Sequence, residues 1–342
     1  YFGNERIQKL AFPLKQVPQA LNLRSHILQN FEKAVTSNSE EEIDRLTNFV
    51  IVGGGPTGVE LAGALGELKK YVLPRDYPEL DFKVMKVYLV EGVDRLLPTM
   101  SEKAGQRAEQ DLAKRFDTIV KLNTMVEDYD GYEVTLNDGE KLISETLIWA
   151  AGVQGVIIPG LDKATVEKGR YEVDEINRMK GYDNVFAVGD VSAMYTDEEY
   201  PKGHPQVAPV AMQQGEQLGK NLSRLIRGKE TKPFSYFNKG YMATIGRNRA
   251  VADLPGNIKF GGWFAWLSWM FVHLLFLVSF RQKIITLGNW VWNYFTYDRG
   301  TRLIIRPFNY RRAVDERKDE LEEEDHRNDE QNETHAVSQE DE

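Results

Sequence analysis

The sequence predicts an α/β fold built on a dinucleotide-binding unit and ending in an apolar helical region. Three stretches carry that prediction. In the first, the apolar, β-branched run Phe49–Val52 leads into Gly53-x-Gly55-x-x-Gly58 and then into residues 59–68, which have helical spacing. In the second, a further apolar run at residues 184–188 meets Gly189-Asp190, and a helical segment follows it after a loop. In the third, residues 260–280 carry no charged side chain except His273 when protonated.

Strand, glycine turn and helix in that order are the context a dinucleotide fingerprint requires. Gly53 permits the tight turn, Gly55 lets the backbone approach a pyrophosphate, and Gly58 lets helix and strand pack closely. The pyrophosphate would rest on the free N–H groups and positive dipole end of the helix. The fingerprint also predicts an acid at the tip of the next strand; Val87–Val90 is that strand and Glu91 ends it. A carboxylate there accepts from a ribose 2′-OH and repels a 2′-phosphate, which favours NADH over NADPH. An ordinary strand-end carboxylate is the plainer reading of Glu91, and Arg95 lies close enough to weaken the exclusion of NADPH. The gap from Gly58 to Glu91 is longer than the usual ~20 residues; Pro74 to Pro78 would end the helix and supply the extra loop.

Residues 1–46 read as the end of another domain. A Pro-interrupted segment at 10–18 precedes an amphipathic helix over 20–35, with Leu21, Leu28, Phe31 and Val35 near one face. Residues 47–153 read as a self-contained α/β unit. Beyond Glu91 it should hold a capped helix from Ser101 to Phe116 and strands at 118–121, 132–136 and 146–149, the middle one ending in the turn Asn137-Asp-Gly139. Ala150-Ala-Gly152 is either a small-residue opening that a cofactor could pass or a plain tight turn. Gly189-Asp190 can place a carboxylate on a sugar-alcohol hydroxyl, or be a turn with an Asx hydrogen bond. The next helix opens near Gln206 and runs to about Arg227, through Ala208-Pro209 and Gln213-Gln214.

At 342 residues the chain should hold two or three domains. Its net charge of −9 hides a sharp division. Residues 1–235 carry 29 Lys/Arg against 36 Asp/Glu, residues 236–312 carry 11 against 2, and residues 313–342 carry 3 against 14. A basic segment between acidic neighbours suits a localised anionic partner. The absence of cysteine excludes disulfide-exchange catalysis, cysteine-ligated iron–sulfur clusters and electron transfer through a redox-active thiol pair. Five scattered histidines and no cysteine make a poor metal inventory, so no metal site is expected.

The motifs at 52–60, Ile148-Trp-Ala-Ala-Gly152, Val185-Phe-Ala-Val-Gly-Asp190 and Met212-Gln-Gln-Gly215 resemble those of the two-dinucleotide-binding flavoproteins. Within them the chain is most similar to the type II NADH dehydrogenases, single-subunit NADH:quinone oxidoreductases. The resemblance implies two Rossmann-like dinucleotide-binding domains plus a C-terminal helical membrane-binding region. On this reading residues 1–46 are the remainder of an FAD-binding domain, 47–153 bind NADH, 154–235 return to the FAD domain, 236–312 associate with the membrane and 313–342 form a disordered acidic tail. It implies FAD as well as NADH, with Gly53, Gly55, Pro56, Thr57, Gly58, Glu91, Gly152, Gly189, Asp190 and Ala208 as cofactor-binding residues. Asp190 would hold the ribitol of FAD, and the segment from Gln206 would lie beside the isoalloxazine. Glu60 matches a family acid near the flavin that handles protons; the alternative is a first-turn carboxylate favoured by the helix dipole. Many members have Ala-Gln where this chain has Ala208-Pro209, and Gln213 or Gln214 would replace that glutamine beside the quinone. An FAD-binding strand with its own glycine fingerprint would lie upstream of Tyr1, so the FAD domain is expected to be incomplete and this chain a fragment.

The third stretch points to a bilayer. Five of the six tryptophans fall between residues 263 and 292, and Lys259, Arg281 and Lys283 border the apolar run. Amphipathic rings with a basic surround suit an anionic membrane surface, here residues 260–306. A helix of 21 residues could also span the ~30 Å hydrocarbon core, and a buried core or dimer interface would use the same residues. His273, alone on an apolar helix, reads first as a packing residue and second as a proton donor to a quinone. Nucleic acid is not expected, because the aromatics form continuous runs instead of alternating with the basic residues. The expectation is therefore a peripheral membrane flavoenzyme of a respiratory chain, on the cytoplasmic face of a bacterial membrane or a mitochondrial inner membrane. It would pass electrons from NADH through FAD to quinone without pumping protons, as a homodimer. The alternatives are a soluble reductase of a protein electron carrier and a non-catalytic NADH-binding membrane sensor.

Overall fold

The computed structural model describes residues 1, 3–296 and 304. They form two compact units: Tyr1–Ala151 with Tyr241–Asp253 and the residues from Asn257 onward, and Gly152–Gly240 with Leu254–Gly256.

The first unit opens with α1 (Glu5–Leu10), β1 (Phe12–Pro13), α2 (Val17–Thr36) and α3 (Glu40–Thr47). Asn4 caps α1 by accepting the Ile7 N–H at 2.9 Å. The α2 helix begins earlier than its apolar spacing predicts, with Pro18 in the first turn, where a missing N–H costs nothing. Then follow β2 (Phe49–Val52), α4 (Pro56–Glu67), α5 (Leu73–Asp76), β3 (Val87–Val90), α6 (Glu102–Phe116) and β4 (Ile119–Lys121). A meander of β5 (Val126–Tyr129), β6 (Glu133–Leu136) and β7 (Lys141–Ile143) leads into β8 (Leu147–Trp149).

One sheet runs β1-β8-β2-β3-β4, every pair parallel. Every residue of β2, β3 and β8 is buried, as strands covered on both faces require. Each apolar side chain removed from water there contributes roughly 1.5–3 kcal/mol before entropy is subtracted. Residues 1–46 pack onto this same unit: Leu23, Ile27 and Phe31 join Phe49, Ile51 and Leu89 in one core.

Two sequence expectations change here. Pro74 does not end the helix. A single π-helical turn, Leu68–Val72, separates α4 from α5 and puts Pro74 in the first turn of α5. The wider turn relieves the clash a proline makes with the carbonyl four residues back. The lone strand expected at 132–136 is the centre of the antiparallel meander, whose neighbours are too charged to read as strands (Glu127, Asp128, Lys141).

The second unit holds β9 (Val166–Glu167), β10 (Arg170–Val173), β11 (Ser192–Met194) and α7 (Ala208–Ile226). Strand β10 is central, antiparallel to β9 and parallel to β11. Residues 184–188 are not a strand. They make one bridge, Arg178 to Phe186, and run into the 3₁₀ turn Gly189–Val191.

The chain then makes a further sheet, ordered β12 (Tyr241–Thr244), β13 (Ala250–Leu254) and β14 (Ile258–Gly262), followed by α8 (Trp263–Phe276) and α9 (Phe280–Thr296). The single helix expected over 260–280 is therefore broken. The backbone from Phe260 to Gly262 belongs to β14, and the chain leaves helical geometry at Leu277. With 14 residues, α8 reaches only about 21 Å. No helix among the described residues is long and apolar enough to cross a membrane. The tail at 313–342 lies outside the described residues.

Candidate active site

The glycine turn sits between β2 and α4, and its geometry follows from three close approaches. Gly53 has φ +108°, and a Cβ there would lie 2.8 Å from the Ala151 amide nitrogen. A Cβ on Gly58 would fall onto the Gly53 carbonyl oxygen. A Cβ on Gly55 would meet nothing within 4 Å, so that position faces open space. Gly55 is the N-cap of α4, no side chain caps the helix, and Pro56 and Thr57 are exposed. The first-turn N–H groups thus have no side-chain acceptor, and a pyrophosphate fits them.

Glu91 stands beside this turn. Its carboxylate accepts the Gly54 N–H at 2.5 Å through Oε2 and the Val93 N–H at 3.0 Å through Oε1. Two backbone bonds fix the group at the tip of β3, with lone pairs left for a ribose hydroxyl. Arg95 donates to the Pro98 carbonyl at 2.9 Å, so its guanidinium is tied to its own loop.

Glu60, one turn into α4, is largely buried. Its Oε1 accepts the Thr244 N–H of β12 at 3.2 Å. Burial pushes its carboxyl above the usual range, and the Thr244 hydrogen bonds and the His273 charge only partly offset this. His273 itself donates from Nδ1 to the Trp269 carbonyl at 2.8 Å and stacks on the Trp269 ring at 3.8 Å.

In the second unit the Gly189-Asp190 turn is held from α7. The buried Gln214, 1 % exposed, accepts the Gly189 N–H at 2.6 Å, and Gln206 donates to the Asp190 carbonyl at 2.8 Å. Gly189 has φ +76°, the left-handed region that favours glycine. The Asp190 side chain is half-buried beside the Arg170 charge, which suits an acceptor for a sugar-alcohol hydroxyl. Ala208 is the exposed first residue of α7, and Gly152, at φ +72°, has open space where a Cβ would be. Gln213 is engaged at both ends of its amide by Phe237, accepting from its N–H and donating to its carbonyl, each at 3.0 Å. Gln213 thus clamps backbone through both ends of its amide, and Gln214 clamps it through its oxygen. Their sequence offered no sign of this, because the partners lie 24 and 25 residues away.

A family model, pyridine nucleotide-disulphide oxidoreductase, matches residues 10–215, and a second, the NDH2 C-terminal domain, matches residues 238–297. Among curated proteins, the type II NADH:quinone oxidoreductase NdhA of Mycobacterium tuberculosis is 36% identical over 328 residues, covering 92% of this chain and 68% of that protein. This chain belongs to the type II NADH:quinone oxidoreductase family. The Ndh protein of the same organism is 35% identical over 315 residues, covering 88% of this chain and 65% of the relative. The chain thus spans about two thirds of the curated relatives' length. A solved structure of NDH2 from Plasmodium falciparum in complex with NADH has a TM-score of 0.79 at 21% identity, covering 89% of this chain and 76% of that one, which shows a shared fold. This member carries the family's nucleotide motifs without any cysteine.

Residues that sequence reading missed lie on the C-terminal side of the same unit. Thr244 holds Glu60, and the Arg247 N–H donates to Glu67 at 2.5 Å. The Arg247 guanidinium donates in turn to the Asn293 and Tyr294 carbonyls near the end of α9, at 3.3 and 3.2 Å. A Cβ on Gly63 would lie 2.5 Å from the Gly246 nitrogen, so α4 and the β12–β13 turn meet backbone to backbone. Of the helices they support, α8 is apolar nearly all round and α9 mixes apolar residues with Arg281, Lys283, Asn289 and Asn293, yet α8 buries only Ala265 and α9 buries no residue. Phe264, Phe280 and Phe295 are 72%, 78% and 77% exposed.

Proposed function

We propose that the full-length protein is a peripheral membrane NADH:quinone oxidoreductase that uses FAD and pumps no protons. The observation that carries this reading is the pair α8–α9. A helix apolar all round is stable inside a core or against an apolar medium. Helix α8 is of that kind, with only Ala265 joining a buried cluster, and it belongs to the unit that holds the dinucleotide fingerprint, as does the mixed helix α9, which buries no residue. Lys259 ahead of α8, and Arg281 and Lys283 in the first turn of α9, suit anionic lipid headgroups. Two copies meeting through α8 and α9 would cover part of the same surface, which makes a homodimer seated on the bilayer part of the proposal.

When bound, FAD supplies the redox chemistry, taking two electrons from NADH and giving them to a quinone. The residues of the chain bind, orient and handle protons. Gly53, Gly55, Pro56, Thr57 and Gly58 receive the NADH pyrophosphate on the first turn of α4, and Glu91 accepts from the ribose. Asp190 accepts from the ribitol while Gln214 and Gln206 fix its turn, and Gly152 and Ala208 leave room for the flavin. Glu60, with its raised carboxyl, can keep a proton at a pH where an exposed glutamate has lost it.

Purified full-length protein should show a flavin absorption spectrum and oxidise NADH with a soluble quinone. A protein that holds no flavin and turns over no quinone would contradict the proposal.

A further inference from the structure

We propose a second ligand site on the first unit, for a small phosphate monoester with an apolar body. It is a groove of about 360 Å³ where the π-helical turn after α4, the loop before β3 and the end of α6 converge. Four cations line it: Lys69 and Lys70 from the π turn, Lys83 from the loop and Arg115 from α6. Two carboxylates share the rim, Asp81 and Asp117.

The carboxylates do not neutralise the groove. Among the described residues Asp117 pairs with Lys69 alone, at 3.9 Å, and its side chain is 83% exposed. Asp81 turns one oxygen onto the Lys83 backbone N–H at 2.9 Å, an Asx-type contact with its own loop. Among the described residues the Lys83 ammonium pairs with no carboxylate, and Nη1 of Arg115 is buried without a hydrogen-bond partner. Lys70 has a structural task, donating to the Arg115 carbonyl at 3.0 Å, which ties the π turn to the end of α6. An anion that accepts from Lys83 and Nη1 of Arg115 would use donors the fold leaves unsatisfied, while Lys69 is held by Asp117 only at 3.9 Å and Nη2 of Arg115 donates to the Arg247 carbonyl at 3.4 Å. Charge-assisted bonds to such an oxygen-rich anion are the strong kind.

The rest of the lining sets the rest of the ligand. Pro74, Leu80, Phe82 and Phe116 supply the groove's apolar lining alongside the cations. A bare inorganic ion would leave this lining wet, whereas a ring or acyl body attached to the phosphate would cover it. The groove also differs from the fingerprint in its chemistry: the fingerprint offers backbone N–H groups and no lysine, and this site offers side-chain cations and an apolar lining.

The test uses the full-length protein saturated with NADH, so that the fingerprint is blocked. Phenyl phosphate is titrated by calorimetry, with inorganic phosphate and short-chain dihexanoyl phosphatidic acid as parallel probes. Phenyl phosphate should bind saturably at one site and at least ~10-fold more tightly than inorganic phosphate. Lys69→Glu/Lys83→Glu should weaken it by ~10-fold or more while leaving NADH affinity unchanged, and the single exposed change Lys83→Gln should weaken it in the same direction. Tighter binding of phosphatidic acid than of phenyl phosphate, lost in the same variants, would place a lipid headgroup in the groove; the reverse order would place a soluble ester there. No saturable binding, or binding that the variants leave intact, overturns the site.

Discussion

The two ends of the first unit solve opposite problems. At the fingerprint, every residue of β2 and β3 is buried and what reaches the solvent is a row of backbone N–H groups at the start of α4. At α8–α9 the backbone is satisfied within the helices and what reaches the solvent is largely aromatic and aliphatic side chain, joined by Arg281 and Gln282 of α9. One end is made for a hydrated, charged solute, the other for an apolar medium. Between them run Glu60–Thr244 and Glu67–Arg247, bonds that join the fingerprint helix to the hairpin carrying α8 and α9. Placing both surfaces on one rigid helix-and-hairpin support suits an enzyme that takes electrons from water and delivers them to lipid.

The comparison breaks most easily at the glycine turn. Gly58→Ala would put a methyl group onto the Gly53 carbonyl, and the backbone cannot yield without opening the turn. NADH affinity, followed by fluorescence quenching, should fall by roughly 100-fold or more, with membrane binding unchanged. The mirror-image change is Phe264→Ser/Phe271→Ser/Phe280→Ser. Each exposed ring contributes about 1 kcal/mol or more to transfer into lipid, so partitioning onto anionic vesicles should drop about 100-fold with NADH affinity intact.

Two smaller effects sharpen the picture inside each unit. Gln214→Ala leaves the part-buried Gly189 N–H without its acceptor, which should cost about 1 kcal/mol or more and lower the melting temperature and flavin retention together. Glu60 gives a pH signature. Its folded carboxyl is raised above the ordinary value of 4.5 by burial, so its contribution to stability is full below about that pH and is lost as pH rises through the shifted value. Glu60→Gln keeps an acceptor for the Thr244 N–H and should be more stable than the native protein at pH 7, the difference closing below pH 4.5 in thermal melts.

Much of the nucleotide half was legible because its signals are local. Apolar run, glycine spacing and strand-end acid lie within 43 residues, from Phe49 to Glu91. The exposed apolar helices were legible as composition but not as geometry: nothing in residues 260–280 announces that Gly262 starts α8 or that the chain leaves the helix at Leu277. The strand expected at 184–188 failed because its apolar run is used in irregular pairing with residues 177–179. The tasks of Thr244, Arg247, Gln213 and Gln214 were hidden for a different reason. Each is defined by a partner distant in sequence, and a polar side chain reads the same whether it clamps a backbone or meets a substrate.

The most direct test of the central claim compares one enzyme with two acceptors. Full-length protein and the Phe264→Ser/Phe271→Ser/Phe280→Ser variant are assayed for NADH oxidation with a water-soluble quinone and with a long-chain quinone held in anionic vesicles. The variant should keep its rate with the soluble quinone and lose most of its rate with the vesicle-borne one. Equal rates for both proteins with the vesicle-borne quinone would mean that α8 and α9 do not carry the enzyme to the bilayer.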